Sequence, residues 1–167
     1  GQLANVGDYL TTRIADWRLL VLRSESNTLQ AFLNLCPHRG SLLLEGSGNC
    51  DKIVCPYHGW QFDLHGTLQD TPWFGEASPF DKPNLSLRPV QLDAWRGIVF
   101  VAIAPEQTLE EQLGDIPDLI DAARLAGMDY AHNESFNADC NWKIYIDQFQ
   151  EFYHTPFVHG VDRAVDI

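Results

Sequence analysis

The chain has 167 residues, 45% of them apolar and 20% charged, a composition that suits a globular protein with one ordinary domain or a small domain and part of a second. Eleven Lys and Arg stand against 23 Asp and Glu, and the resulting net charge of −12 would repel a phosphate backbone, so no nucleic-acid partner is expected. The longest apolar run, Ile98 to Ala104, is strand-sized, so no membrane span or membrane partner is predicted.

Residues Gly1 to Tyr9 lack the charged start and apolar stretch of a signal peptide. Gly1 stands where a Met is expected, and Ile167 follows directly on a motif, so both ends read as cut. From there to residue 104 the sequence reads as β-rich. Leu19 to Leu22 and Leu29 to Leu35 are short apolar runs divided by the polar turn Ser24 to Asn27. Trp60 to Leu64 and Thr67 to Gln69 flank His65-Gly66, which predicts a two-residue hairpin turn. Val90 to Ala94 and Ile98 to Ala104 flank Trp95-Arg96-Gly97, a second hairpin with a glycine available for positive φ. Strands at this spacing suggest a small sandwich or barrel, with no internal repeat.

Within this stretch lies the first chemical motif. Cys36-Pro-His38-Arg-Gly40 is followed, after the interval 39 to 54, by Cys55-Pro-Tyr-His58-Gly-Trp60. A [2Fe–2S] cluster held by two thiolates on one iron and two imidazoles on the other needs two loops, each presenting one Cys and one His. A zinc site could also take two Cys and two His, but zinc fingers pair Cys with Cys and His with His along the chain. Cys50 and Cys55 have a plant-ferredoxin-like spacing, which would strand both histidines and lacks two further cysteines; Cys50 and Cys140 therefore read as ordinary small residues. With two of four cysteines in metal-type pairings, a reducing, cytoplasmic location is expected.

Composition changes after Pro105, and a domain boundary is placed at residue 104, giving segments 1–104 and 105–167. Thr108 is a candidate N-cap with glutamates in the turn that follows, and Ile116 to Leu125 has apolar residues at helical spacing. The clearest helix prediction is 141–154, with Asn141 as N-cap. On that helix Asp147, Glu151 and His154 would share one face, at i, i+4 and i+7. His159 would lie about 140° from His154 on a continuous helix, but Pro156 interrupts the ladder and lets the chain swing His159 back. Two histidines so placed can supply half of a 2-His-1-carboxylate iron site.

Residues 28 to 70 resemble the Rieske domain of ring-hydroxylating oxygenase α subunits, down to the run Cys55-Pro-Tyr-His-Gly-Trp-Gln-Phe-Asp with a following Gly66. The cytochrome bc-type Rieske proteins carry a disulfide-linked extra cysteine in each loop, where this chain has Ser41 or its neighbours and Tyr57. The run Asn141 to His159 resembles the α-subunit pattern Asn-Trp-Lys…(Asp/Glu)…(Asp/Glu)-x2-His-x4-His, about 95 residues after the first motif, as in that family.

The resemblance implies an α+β chain: an all-β Rieske domain over 1–104, then the start of an α+β catalytic domain over 105–167. It implies a [2Fe–2S] cluster on Cys36, His38, Cys55 and His58, and a mononuclear Fe(II) on His154 and His159 whose third, carboxylate ligand would lie past Ile167. Glu151 matches the acidic residue that bridges an iron-bound histidine to a cluster histidine, here His58, of a neighbouring subunit. Most members have Asp there; Glu resembles the branch acting on quaternary ammonium compounds such as carnitine and choline. Asp147 matches a second acidic or amide position near the iron, although a water-facing helix carboxylate accounts for it equally well. The implied activity is that of a terminal oxygenase, hydroxylating an aromatic ring or a quaternary ammonium compound with O2. Electrons would come from NAD(P)H through a flavin-containing reductase, with or without a ferredoxin, to a homotrimer with or without β subunits. The alternative from another class is a Rieske ferredoxin-type carrier, which would not need residues 105–167; a structural zinc module is a third.

Overall fold

Leu19, Leu20, Val21 and Leu22 are all buried, and an unbroken apolar run of this length is what a strand covered on both faces requires. The computed structural model, which describes residues 2–75, 83–120, 128, 131–132, 134–150 and 153–158, places this run in β2 (Trp17–Arg23). β1 (Asp8–Ile14) and β3 (Leu29–Leu33) flank it, both antiparallel, with Leu20 opposite Phe32. Adding β4 (Ser47–Asn49), β8 (Pro89–Trp95) and β9 (Ile98–Ala102) completes a six-stranded sheet of order β4-β1-β2-β3-β8-β9. Three short strands, β5 (Ile53–Val54), β6 (Gln61–Phe62) and β7 (Leu68–Asp70), make a second sheet.

The side-chain alternation of β2 gives each face its own core. Leu19 and Val21 pack with Ala31 and Val90. Leu20 and Leu22 join Phe32 and meet Ile53, Phe62 and Leu68 of the small sheet, and Cys36, Cys55 and Trp60 belong to the same cluster. The two cysteines of the first motif are therefore core residues between the sheets.

Turn chemistry explains where the predicted hairpins held and where they shifted. Trp95 pairs with Ile98, which leaves Arg96 (φ 50°) and Gly97 (φ 83°) as a two-residue turn; positive φ at both positions is the type I′ signature. The predicted His65-Gly66 turn is longer: β6 ends at Phe62 and β7 begins at Leu68. Asp63 organises this loop, its Oδ1 accepting the N–H groups of His65 at 2.9 Å and Thr67 at 2.8 Å, an alternative to ladder bonds that aspartate offers. Gly66 has φ 77°, and a Cβ there would stand 2.5 Å from Phe32 Cε1, so both conformation and space demand glycine.

A 3₁₀ turn (Pro83–Leu85) precedes β8. After β9, α1 (Leu109–Leu113) begins with a complete capping box: Thr108 Oγ1 accepts the Glu111 N–H, and Glu111 Oε2 accepts the Thr108 N–H. The predicted helix from Ile116 is α2 (Ile116–Leu119); residues 121–125 of that expectation lie outside the described residues. Gly1–Tyr130 and Ala131–Ile167 form two compact units.

In the second unit, α3 (Trp142–Phe149) starts as expected, Asn141 Oδ1 accepting the Lys143 N–H at 3.0 Å. It ends sooner than the predicted 154. Gln150 caps it, and a new short helix, α4 (Thr155–Val158), opens after His154, whose carbonyl accepts the N–H groups of Phe157 and Val158. Pro156 stands in the first turn of α4, where its missing N–H costs nothing. Proline thus belongs to the start of a second helix instead of breaking a long first one, so Asp147 and His154 do not share one continuous helix, and Glu151, the third member of the expected face, lies outside the described residues. No described helix is long and apolar enough to cross a membrane.

Candidate metal centre

Two loops carry the first motif, and their backbones obey one scheme. Leu35 bridges to Leu42, and Val54 pairs with Gln61. Inside each pair the cysteine N–H donates to a carbonyl five residues on, Cys36 to Ser41 and Cys55 to Trp60, both at 2.8 Å. The glycine N–H returns to the cysteine carbonyl, Gly40 to Cys36 at 2.8 Å and Gly59 to Cys55 at 3.0 Å. Gly40 (φ 68°) and Gly59 (φ 72°) make the matching left-handed corners. The histidines break the equivalence, His38 two residues after its cysteine and His58 three. This structural repeat escaped the sequence because its signal lies in backbone bonds and one glycine.

The loops bring the four predicted donors together as two pairs. Cys36 and Cys55, each 2% exposed, lie with their sulfurs within hydrogen-bonding reach, and neither is in a disulfide. His38 and His58 have ring centroids 4.6 Å apart. His38 is half-buried and His58 exposed, so the sulfur pair is inside and the nitrogen pair at the rim. Among the described residues no three His, Cys, Asp or Glu side chains gather for a single ion. A cluster of two irons takes two protein ligands per iron, and a pair of thiols behind a pair of imidazoles suits that demand.

Electrostatics agree with that donor set. Burial pushes the Cys36 thiol up to about 11, and the adjacent Cys55 adds to the rise, while backbone N–H groups of His38 and Arg39 aimed at the sulfur oppose it. Two such thiols crowd together as thiolates only when a cation is shared between them. His38 is held below its ordinary range by burial first, then by His58 and Arg39. Its ring thus favours the neutral form, the one that can ligate metal.

Three residues support the site in ways that sequence reasoning did not assign. Asn34, 2% exposed, closes the first loop: its Oδ1 accepts the Leu44 N–H at 3.1 Å and its Nδ2 donates to the Leu44 carbonyl at 2.8 Å. Trp60 lies parallel to His38, and Phe74 meets both rings edge-on. Trp60 sits inside the motif, so its position was visible though its contact was not; Phe74, in the run Trp73-Phe74-Gly75, offered only its aromatic character.

The second motif is described in part. Asp147 is exposed on α3, and His154 is half-buried in the turn before α4. Glu151 and His159 lie outside the described residues.

Comparison with known proteins follows the same division. The Rieske [2Fe-2S] domain profile matches residues 1–82, and the ring hydroxylating alpha subunit (catalytic domain) profile matches residues 125–165. The carnitine monooxygenase oxygenase subunit of Acinetobacter pittii (strain PHEA-2) is 33% identical over 162 residues, covering 95% of this chain and 44% of that protein. The chloroplastic choline monooxygenase of Beta vulgaris is 30% identical, over 95% of this chain and 37% of its own length. A crystal structure of a quaternary ammonium Rieske monooxygenase in complex with L-carnitine superposes with a TM-score of 0.88 at 32% identity, covering 95% of this chain and 46% of the other. The chain spans less than half the length of these relatives.

Proposed function

Since the chain belongs to the Rieske non-haem iron oxygenase α-subunit family, we propose that it is the cluster-bearing portion of a terminal oxygenase that hydroxylates a small quaternary ammonium compound. The observation that carries this reading is the pairing of two buried thiols with two rim imidazoles on equivalent loops. Cys36 and Cys55 would hold one iron and His38 and His58 the other. In the family the [2Fe–2S] group supplies single electrons and the mononuclear Fe(II) supplies O2 activation.

The chain's own residues set the direction of transfer. Buried sulfurs keep water from the inner end, and the rim position of His58 gives a partner access to the outer end. His154 and His159 would hold the mononuclear iron, with a carboxylate outside this chain completing its ligands. Glu151 would bridge an iron-bound imidazole and His58 of a neighbouring subunit, accepting a hydrogen bond from each and so fixing both tautomers. Asp147 stands near that iron as a further acidic group. A trimer of the whole protein, with or without β subunits, would bring one subunit's cluster to the next subunit's iron. A flavin or iron–sulfur reductase, or a ferredoxin, delivers electrons from NAD(P)H, in the cytoplasm. Residues 105–167 open the catalytic domain on this reading.

Quaternary ammonium substrates take precedence over aromatic ones because carnitine and choline monooxygenases are among the relatives and because position 151 is Glu. The match of residues 125–165 to a catalytic-domain profile disfavours the electron-carrier alternative. The test is His154→Ala in the full-length protein with its reductase and carnitine, choline or glycine betaine. Hydroxylation should fall by roughly 100-fold or more, as expected for lost metal ligation, while the visible spectrum of the cluster persists. Turnover that survives unchanged rejects the iron assignment.

A further inference from the structure

The two imidazoles at the rim are held in different ways. His38 lies against Trp60 with ring centroids 4.7 Å apart and planes 3° from parallel, an offset stack of two flat rings. Phe74 closes the side of this stack, its ring edge-on to His38 at 5.9 Å and to Trp60 at 5.6 Å. His58 has Tyr57 at 3.9 Å, but Tyr57 is itself 60% exposed and His58 faces solvent. Trp60 is 2% exposed, so it cannot swing away without opening the core.

The connectivity makes the stack a brace between loops. Trp60 is fixed through the second loop, its carbonyl accepting the Cys55 N–H at 2.8 Å, whereas His38 belongs to the first. One indole therefore ties the imidazole of one loop to the thiol-bearing turn of the other. An imidazole bound to metal through one nitrogen still has freedom to rotate about that bond, and a parallel aromatic surface removes that freedom.

We propose that Trp60 is the positioning residue for His38, fixing its ring plane so that the two imidazole ligands of the outer iron are inequivalent: His38 immobile, His58 adjustable. This rests on the assignment of both histidines as cluster ligands. Electron transfer then reaches a partner through an imidazole that can adapt to it, while the other keeps the iron in register.

The experiment uses the full chain purified anaerobically, as wild type, Trp60→Leu, Trp60→Phe and Phe74→Leu. Each is reduced with dithionite, and the EPR signal and the two imidazole nitrogen couplings are recorded by pulsed EPR. Wild type should give two distinct nitrogen couplings. In Trp60→Leu one coupling should shift and broaden while the other stays, and Trp60→Phe, which keeps an aromatic face, should recover most of the shift. As a control, Leu19→Ala, a change in the separate core on the opposite face of β2, should lower thermal stability without moving either coupling. If Trp60→Leu does not fold, Phe74→Leu decides, because Phe74 is 39% exposed and not part of the fully buried core: the same coupling should shift, by less. Couplings in Trp60→Leu, or failing that Phe74→Leu, identical to wild type overturn the proposal. A wild-type chain with no Rieske-type signal would instead overturn the cluster assignment beneath it.

Discussion

Gly59 sits at φ 72°, and a Cβ there would meet only Pro72, 3.8 Å away. Its requirement is conformational, so Gly59→Ala should cost about 1–2 kcal/mol, the usual penalty for an L-residue in the left-handed region. Urea unfolding of the metal-free chain measures the loss, and an unchanged midpoint contradicts the argument. Cys36 gives a second prediction at this scale. In the metal-free fold its thiol is raised to about 11 from an ordinary 9.0, so the folded state binds that proton more tightly than the unfolded chain does. The associated stability is whole below pH 9.0 and is lost as pH rises through about 11. Urea midpoints across that window should decline less steeply in Cys36→Ser; equal slopes would refute the assignment. The gathering of Cys36, His38, Cys55 and His58 was legible in the sequence because coordination chemistry asks for those residue types at that spacing. Asn34 and Phe74 were not, since a clamp on Leu44 and an edge contact on His38 exist only once distant segments have met.

Elements were legible to the extent that their ends carry local chemistry. Thr108 and Asn141 cap as expected because a capping side chain needs only the next three residues. The end of α3 was misplaced because apolar periodicity continues past Phe149, whereas Pro156 belongs to the first turn of another helix. The loop after β6 was misjudged for a similar reason: His65-Gly66 resembles a tight turn, but Asp63 captures two backbone N–H groups and spreads the reversal over a longer loop. Arg96 exposes a correctable flaw. It occupies the first central position of a type I′ turn at φ 50°, where asparagine is favoured. Arg96→Asn should raise stability by about 0.5–1 kcal/mol, seen as a higher thermal midpoint; a lower midpoint would mean that the contact of Arg96 with the Trp95 ring, 5.4 Å from its centroid, outweighs the turn.

At the scale of the molecule, the two units differ in how their apolar residues are used. β2 and β3 contribute to a core on both faces, whereas α3 has no buried residue, and Trp142, Ile144 and Phe149 are exposed at 68%, 65% and 64%. A helix of eight residues is marginal without packing. Hydrogen exchange of this chain should therefore find the α3 amides near their unprotected rates and those of β2 and β3 slowed by several orders of magnitude. Comparable protection in both would mean that α3 is stabilised by something other than its own sequence. The β-rich organisation was legible from the spacing of apolar runs and turns, but the partition into sheets depends on which turns bring strands side by side.

The depth of the four donors has one more consequence. With both sulfurs inside the core and both nitrogens at its edge, the centre has a closed end and an open end. A reagent arriving from solvent meets the imidazole end first. Thiol reagents should reach the two sulfurs only when the sheets part, so the rate of alkylation of the metal-free chain reports the cohesion of the fold around them.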